Sequence, residues 1–255
     1  MLQTAEMREA LRLEQFSLVY QPVISLATRE VSGFEALARW QHPKLGELPA
    51  TQFLHKLEAS ELMPQLFECS FIKVCEQLTQ WNKNATYPDD LWISLNISKA
   101  ELLWPPLLSK IDKILERSGA DPSQIVFEVT EEVLYQSLTD TAFIVAELKE
   151  RGIHIQLDDF GTSHTSLQTL KRFPVDKIKI DSLLLKNDFR RRDEKRRSYL
   201  HALVSMAHSM QIEVIAEGIE DAPMLYHLQP LECDYAQGYC FAPPLSARDA
   251  SEWVG

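Results

Sequence analysis

Five carboxylates, two amides and one lysine fall at or near the ends of short apolar segments: Glu35, Asn96, Glu128, the adjacent Asp158 and Asp159, Lys179, Glu217 and Gln237. Gathered in one pocket, five unpaired carboxylates would repel and raise one another's pKa. Shared protons or bound cations relieve that repulsion. With Asn96 as a neutral oxygen ligand the set is all oxygen, which suits hard divalent ions. Consecutive aspartates let one bridge two metals while the next binds one. Two metals about 3.5–4 Å apart are a recurring device for phosphoester hydrolysis, one activating water and both stabilising the developing charge. Arg39, four residues after Glu35, has the fork geometry to grip a phosphate. Lys179 has the reach to orient the attacking water or to offset negative charge.

Each acid alone has a plainer reading, as a helix cap or an ion-pair partner; the constellation is what points to chemistry. The sequence has no HExxH and no spaced His/Cys set, which argues against zinc. Its seven histidines (His42, His55, His154, His164, His201, His208, His227) are scattered. His201 and His208 share a helix face at a spacing that suits packing or solvent rather than ligation. A Ser-His-Asp triad has no GxSxG turn to rest on.

Eight segments rich in Ile, Val, Leu and aromatics read as strands. They are Leu18–Leu26, Val31–Trp40, Leu91–Ser98, Ile125–Glu131, Gly152–Asp159, Val175–Asp181, Ile212–Glu217 and Cys233–Phe241. Amphipathic stretches lie between most of them. Val133–Arg151 repeats Leu134, Leu138, Thr141, Ile144, Val145 and Leu148 at helical steps, with Gly152 as C-cap. Ser98 to Glu101 is a capping box, Pro105 and Pro106 sit near the start of the next helix, and Ser198–Met210 is another helix. Strand alternating with helix predicts a parallel sheet. The first two strands, however, are joined by only Ala27–Glu30, too short for a parallel crossover, so they form an antiparallel hairpin. The expected fold is therefore α/β, a (β/α)8 barrel of the TIM type modified by one antiparallel strand. In such a barrel the strand ends converge on one mouth, where active sites sit.

The size agrees: 255 residues suffice for one such barrel of about 250 residues, so a single domain over 1–255 is expected. The net charge of −11 opposes general nucleic-acid binding while leaving room for a small anion held by metals and local cations. Cys69, Cys75, Cys233 and Cys240 form no CxxC pair and read as reduced thiols. No apolar run approaches a membrane span, and the start lacks the pattern of a signal peptide, so a cytoplasmic protein is expected. The basic segment Lys186–Arg197 reads as a solvated loop, or as a contact patch for an acidic partner or lipid surface.

Glu35-Ala-Leu37 followed by Ala38-Arg39-Trp40 resembles the signature of the EAL-domain family of cyclic-di-GMP phosphodiesterases. The resemblance runs from about Leu18 to Leu245, through Gln21-Pro22, Leu95-Asn96-Ile97-Ser98, Glu128-Val129-Thr130-Glu131 and Asp158-Asp159-Phe160-Gly161. It continues in Lys179-Ile180-Asp181, Ala216-Glu217-Gly218-Ile219-Glu220 and Gln237-Gly238-Tyr239. It implies hydrolysis of one phosphodiester of cyclic-di-GMP to linear pGpG with two divalent cations, Mg²⁺ or Mn²⁺, in bacterial second-messenger signalling that controls biofilm and motility. Carried over by motif, Glu35, Asn96, Glu128, Asp158, Asp159 and Glu217 would be the metal ligands, with Asp158 bridging. Lys179 would contact the nucleophilic water and Asp159 would help to deprotonate it. Gln21, Leu37 and Arg39 would contact the nucleotide, and Glu220 and Gln237 would support the pocket. Glu131 would hold the loop that follows the paired aspartates, and a homodimer is implied near that loop.

The chain departs from the family at that loop. The usual DDFGTGYSSL reads Asp158-Asp-Phe-Gly-Thr-Ser163-His164-Thr165-Ser166-Leu167, with serine for glycine and histidine for an aromatic. Two other readings stay open. One is a non-catalytic cyclic-di-GMP receptor or protein-interaction module on the same fold. The other is an unrelated barrel enzyme using Lys179 as base or Schiff-base amine, since Lys177-Ile-Lys179 is superficially like an enolase-type site.

Overall fold

The structure is a computed structural model that describes residues 3–83, 87–135, 138–161, 167–181, 184–185 and 194–254. Strands β1 (Phe16–Ser25) and β2 (Val31–His42) form a hairpin across residues 26–30. Its antiparallel register runs from Phe16 opposite Trp40 to Val23 opposite Gly33, with a shift before Ile24. Then follow β3 (Gly46–Pro49), β4 (Trp92–Asn96), β5 (Ile125–Thr130), β6 (His154–Phe160), β7 (Lys177–Ile180), β8 (Glu213–Ala216) and β9 (Tyr235–Gln237). From β2 through β4 to β9, each strand pairs in parallel with the next. β1 runs antiparallel to both β2 and β9 and closes the ring. This is the expected eight-stranded barrel with one reversed strand. β3 is an addition, an antiparallel extension of β2 made by the turn at Gly46.

Helices clad the barrel through apolar stripes. Along Met63–Trp81, Phe67, Phe71, Val74, Leu78 and Trp81 recur at three- and four-residue steps and are all buried. Phe67 and Phe71 meet Phe127 of β5 edge-on at 5.4 and 5.5 Å, and Trp81 meets Phe34 of β2 at 5.1 Å. One helix thus fixes two strands that carry site carboxylates. Inside the barrel, Val23, Trp92, Val126 and Ile215 form an apolar plug with Tyr235 against it. Below it Lys177 lies over the rings of Trp92 and Tyr235, 5.3 and 5.0 Å from their centroids, and pairs with Glu213.

The helix expected over Val133–Arg151 is described over Glu131–Tyr135 and Leu138–Glu150, with 136–137 outside the described residues, and Leu134, Thr141, Val145 and Leu148 are buried as the spacing required. Two expectations change. The last strand is Tyr235–Gln237 rather than Cys233–Phe241. At Gly238 (φ +157°) the chain turns so close to Ile219 that a Cβ would sit 2.2 Å from its carbonyl oxygen. The helix placed at Ser198–Met210 begins earlier and spans Glu194–Ser209. The Ser98–Glu101 capping box and Pro106 as N-cap of Leu107–Ser118 are present, and Gly152 has φ +86°. The four cysteines are free. Among the described residues no helix is long and apolar enough to cross a membrane.

Candidate active site

Alternation along β2 places Glu35, Leu37 and Arg39 on one face. β2 pairs with β4 only over Gly33–Ala36, so Leu37 and Arg39 continue past the rim while still paired to β1. Glu35 therefore lies in the middle of a 12-residue strand rather than near its end, because the strand runs on into the β3 hairpin. The other residues fall as the strand ends predict. Asn96 ends β4, Gln237 ends β9, Glu128, Asp158 and Lys179 stand near the ends of β5, β6 and β7, and Glu217 follows β8.

Lys179 is the centre of the arrangement. Its Nζ, fully buried, donates to Glu35 Oε2 at 2.9 Å and Glu128 Oε2 at 3.0 Å. Glu217 Oε1 stands 3.6 Å away and Asp158 Oδ1 4.0 Å. Glu35 also accepts from Gln237 Nε2 at 2.7 Å and from Asn96 Nδ2 at 3.1 Å. Gln237 further donates to Gln21 Oε1 at 3.3 Å, so β1 joins the network.

The electrostatics follow from this crowding. Burial raises the pKa of Glu35, but Lys179 and the amide donors outweigh it and hold the carboxyl below its usual value. Glu128 is pushed up to about 8 by burial first, then by Glu35, with Lys179 acting the other way. Glu217 is raised to about 7, again chiefly by burial. Burial works against a charged Lys179, yet Glu128, Glu35, Glu217 and Asp158 together raise its pKa well above normal. Four carboxylates thus share one ammonium, and the pocket is short of positive charge.

Asp159 takes a left-handed backbone conformation, φ 55°, beside the irregularity where β6 leaves its register with β7. Non-glycine residues rarely adopt it, and asparagine and aspartate do so most readily. The conformation turns Asp159 away from the alternation that Asp158 obeys. Its pKa is raised by burial, then by Asp158 and Asp181. The strand pattern alone gave no sign of this, nor of Asp181 as a neighbour.

Arg39 donates to the Ala38 carbonyl at 2.9 Å and stands 3.9 Å from Glu47 of β3. Leu37 is half-buried and Glu220 exposed, in the segment after Glu217. Glu131 is buried at the head of Glu131–Tyr135. Ser163, His164 and Thr165 lie outside the described residues, as does most of the basic segment: 186–193 are undescribed, and so are the side chains of 194–197. Lys177, which the enolase-like reading set beside Lys179, is spent at the opposite end of the barrel. The sequence reading also passed over Ser94 and Gln156, both wholly buried on β4 and β6.

The donor set fits hard divalent cations in its chemistry: carboxylate and amide oxygens, with four carboxyl groups around one ammonium. Among the described residues, no three His, Cys, Asp or Glu side chains are drawn together tightly enough to form a ready-made metal cage. The carboxylate oxygens turn instead to Lys179.

Residues 4–244 match the family described as "EAL domain". The chain is 32% identical over 250 residues to the cyclic di-GMP phosphodiesterase NbdA of Pseudomonas aeruginosa, covering 98% of this chain and 31% of that protein. It is 32% identical over 254 residues to the biofilm architecture maintenance protein MbaA of Vibrio cholerae, covering 96% and 31%. The chain spans about a third of the length of the curated relatives it matches. Among solved structures, the PaMucR phosphodiesterase in complex with c-di-GMP is similar with a TM-score of 0.89 and 30% identity, over 96% of this chain and 98% of that one. The cAMP- and cyclic-di-GMP-bound form of the EAL enzyme Bd1971 is similar with a TM-score of 0.90 and 26% identity, over 98% and 68%.

Proposed function

The chain belongs to the EAL domain family, and from that membership and the geometry of the barrel mouth we infer that it hydrolyses one phosphodiester bond of cyclic-di-GMP to linear pGpG. The observation that carries this reading is the crowding of Glu35, Glu128, Asp158 and Glu217 around one ammonium, which leaves the pocket short of positive charge. Glu35, Asn96, Glu128, Asp158, Asp159 and Glu217 would hold two divalent cations, Mg²⁺ or Mn²⁺. When bound, such ions lower the pKa of water and stabilise charge on a phosphoryl group.

The chain's own residues supply the rest. Arg39, on the overhanging part of β2, binds a phosphate of the dianionic substrate. Leu37, on the same face, offers an apolar contact, and Gln21 reaches the mouth from β1. Lys179 Nζ orients the attacking water and steadies charge that develops beside it. Asp159, whose raised pKa suits it to accept a proton, takes the proton that the water gives up. Gln237 fixes Glu35 through its 2.7 Å hydrogen bond. Glu220 supports the pocket rim, and Glu131 holds the loop beyond Asp159. A homodimer belongs to the same proposal, checked by light scattering of the purified chain.

The test is incubation of the protein with cyclic-di-GMP and Mg²⁺ or Mn²⁺, with products separated by chromatography. An Asp159→Asn variant and a chelated sample run alongside. Formation of pGpG that disappears in both controls is the expected result. Binding of cyclic-di-GMP with no product in either metal would replace the enzyme by a receptor on the same fold.

A further inference from the structure

Beneath the ring of carboxylates lies a second polar layer whose atoms have no partner within the protein. Gln156 is completely buried, and neither its Oε1 nor its Nε2 is hydrogen-bonded. Ser94 Oγ and Glu128 Oε1 are buried and unpaired as well. The barrel register places the three on neighbouring strands. Gln156 stands directly opposite Glu128 across β5 and β6, and Ser94 lies opposite Val126 across β4 and β5, two residues before Glu128 and on the same inward face. Gln156 is two residues before Asp158 on the same strand and so shares its inward face.

An unmet buried donor or acceptor costs about 1–3 kcal/mol, so polar atoms clustered in this way require a common partner. Their chemistry is complementary. The Gln156 amide and the Ser94 hydroxyl can donate, Glu128 Oε1 accepts when cations at the mouth keep the carboxyl ionised, and one buried water can bridge all three. Lys177, the other polar neighbour of Gln156 across β6 and β7, is already paired with Glu213.

We propose that Gln156 and Ser94 are positioning residues for the cation site, holding Glu128 Oε1 from below through a buried water so that Oε2 stays turned to Lys179. This rests on the two-cation reading above. Groups that orient a ligating carboxylate typically set metal affinity by about 10–100-fold. A purely structural role would instead appear in the stability of the metal-free protein.

The experiment is Mn²⁺ titration by calorimetry of the wild type, Gln156→Leu and Ser94→Ala, with thermal melts of each in chelator. Gln156→Leu is expected to melt within a few degrees of the wild type, since an apolar side chain of similar size removes unmet polar atoms, yet to bind Mn²⁺ about tenfold more weakly. Ser94→Ala is expected to shift affinity in the same direction, and it decides the matter alone should Gln156→Leu not fold. Wild-type Mn²⁺ affinity in both variants would overturn the positioning role and leave the two-cation reading standing. A wild type that binds no Mn²⁺ would overturn both.

Discussion

Lys179 Nζ lies 3.0 Å from Glu128 Oε2, and neither side chain is reached by solvent. Breaking a buried pair by removing one partner typically costs about 3–5 kcal/mol, because the other charge is left uncompensated. Lys179→Met should therefore lower the melting temperature in chelator by about 10 °C, at roughly 2–4 °C per kcal/mol for a chain of this size. Mg²⁺ or Mn²⁺ should restore more of that loss than it adds to the wild type, while hydrolysis falls at least about 100-fold. Paired melts with and without metal check this; equal metal-induced shifts would show that Lys179 and the cations do not share these carboxylates.

Arg39→Ala should weaken cyclic-di-GMP binding by about 30-fold, the equivalent of about 2 kcal/mol for a charge-assisted contact. Among the described residues the guanidinium meets the Ala38 carbonyl at 2.9 Å and Glu47 at 3.9 Å, so the fold should tolerate its loss. A binding isotherm measured beside a melt separates the two effects. Affinity equal to the wild type would remove Arg39 from the substrate site.

Asp176 gives a pH dependence away from the site. Burial would raise its pKa, but His154, Lys149 and the backbone N–H of Ile155 hold it below the usual value. A carboxyl with a lowered folded pKa adds stability above its unfolded pKa of about 3.9, and that stability is lost as pH falls through the folded pKa. Asp176→Asn should cost about 1–3 kcal/mol at pH 7 and progressively less below pH 4. Urea melts across that range test it, and a cost independent of pH would contradict the assignment.

Gly33 leaves no room for a side chain. A Cβ there would lie 2.3 Å from the Trp92 ring inside the barrel, and Gly33 is two residues before Glu35. Gly33→Ala should destabilise the protein by about 1–3 kcal/mol or more, as overpacked cores do. It should also lower activity by displacing Glu35. Gly33→Ala with Trp92→Leu should recover part of the stability, and a double variant as unstable as the single one would locate the strain elsewhere.

Much of the barrel was readable because each strand announces itself by a short apolar run and each turn by its length. The short link read as Ala27–Glu30 forced the reversed strand, which the structure shows with residues 26–30 between β1 and β2. What could not be read depends on register across strands far apart in sequence. The strand ends placed Lys179 at the mouth with the carboxylates, but no local pattern reveals that its ammonium pairs with Glu35 and Glu128 while Lys177, two residues away, is engaged at the other end. The left-handed Asp159 was equally hidden, because it arises where β6 slips against β7. The turn that builds β3 did leave a trace, in Pro43 and Gly46, and that trace was missed.

The hydrogen bond between Gln237 and Glu35 joins residues 202 positions apart. β1, made early, has one permanent neighbour in β9, made almost last. On a ribosome, synthesis at about 5–20 residues per second keeps those two strands apart for roughly ten seconds or more. Throughout that interval β1 offers an unpaired edge, and Glu35 lacks the donor that fixes it. The barrel mouth is therefore completed in one late event, the closure of the ring, and a nascent chain stalled before Gln237 would carry nearly every candidate site residue without an assembled pocket.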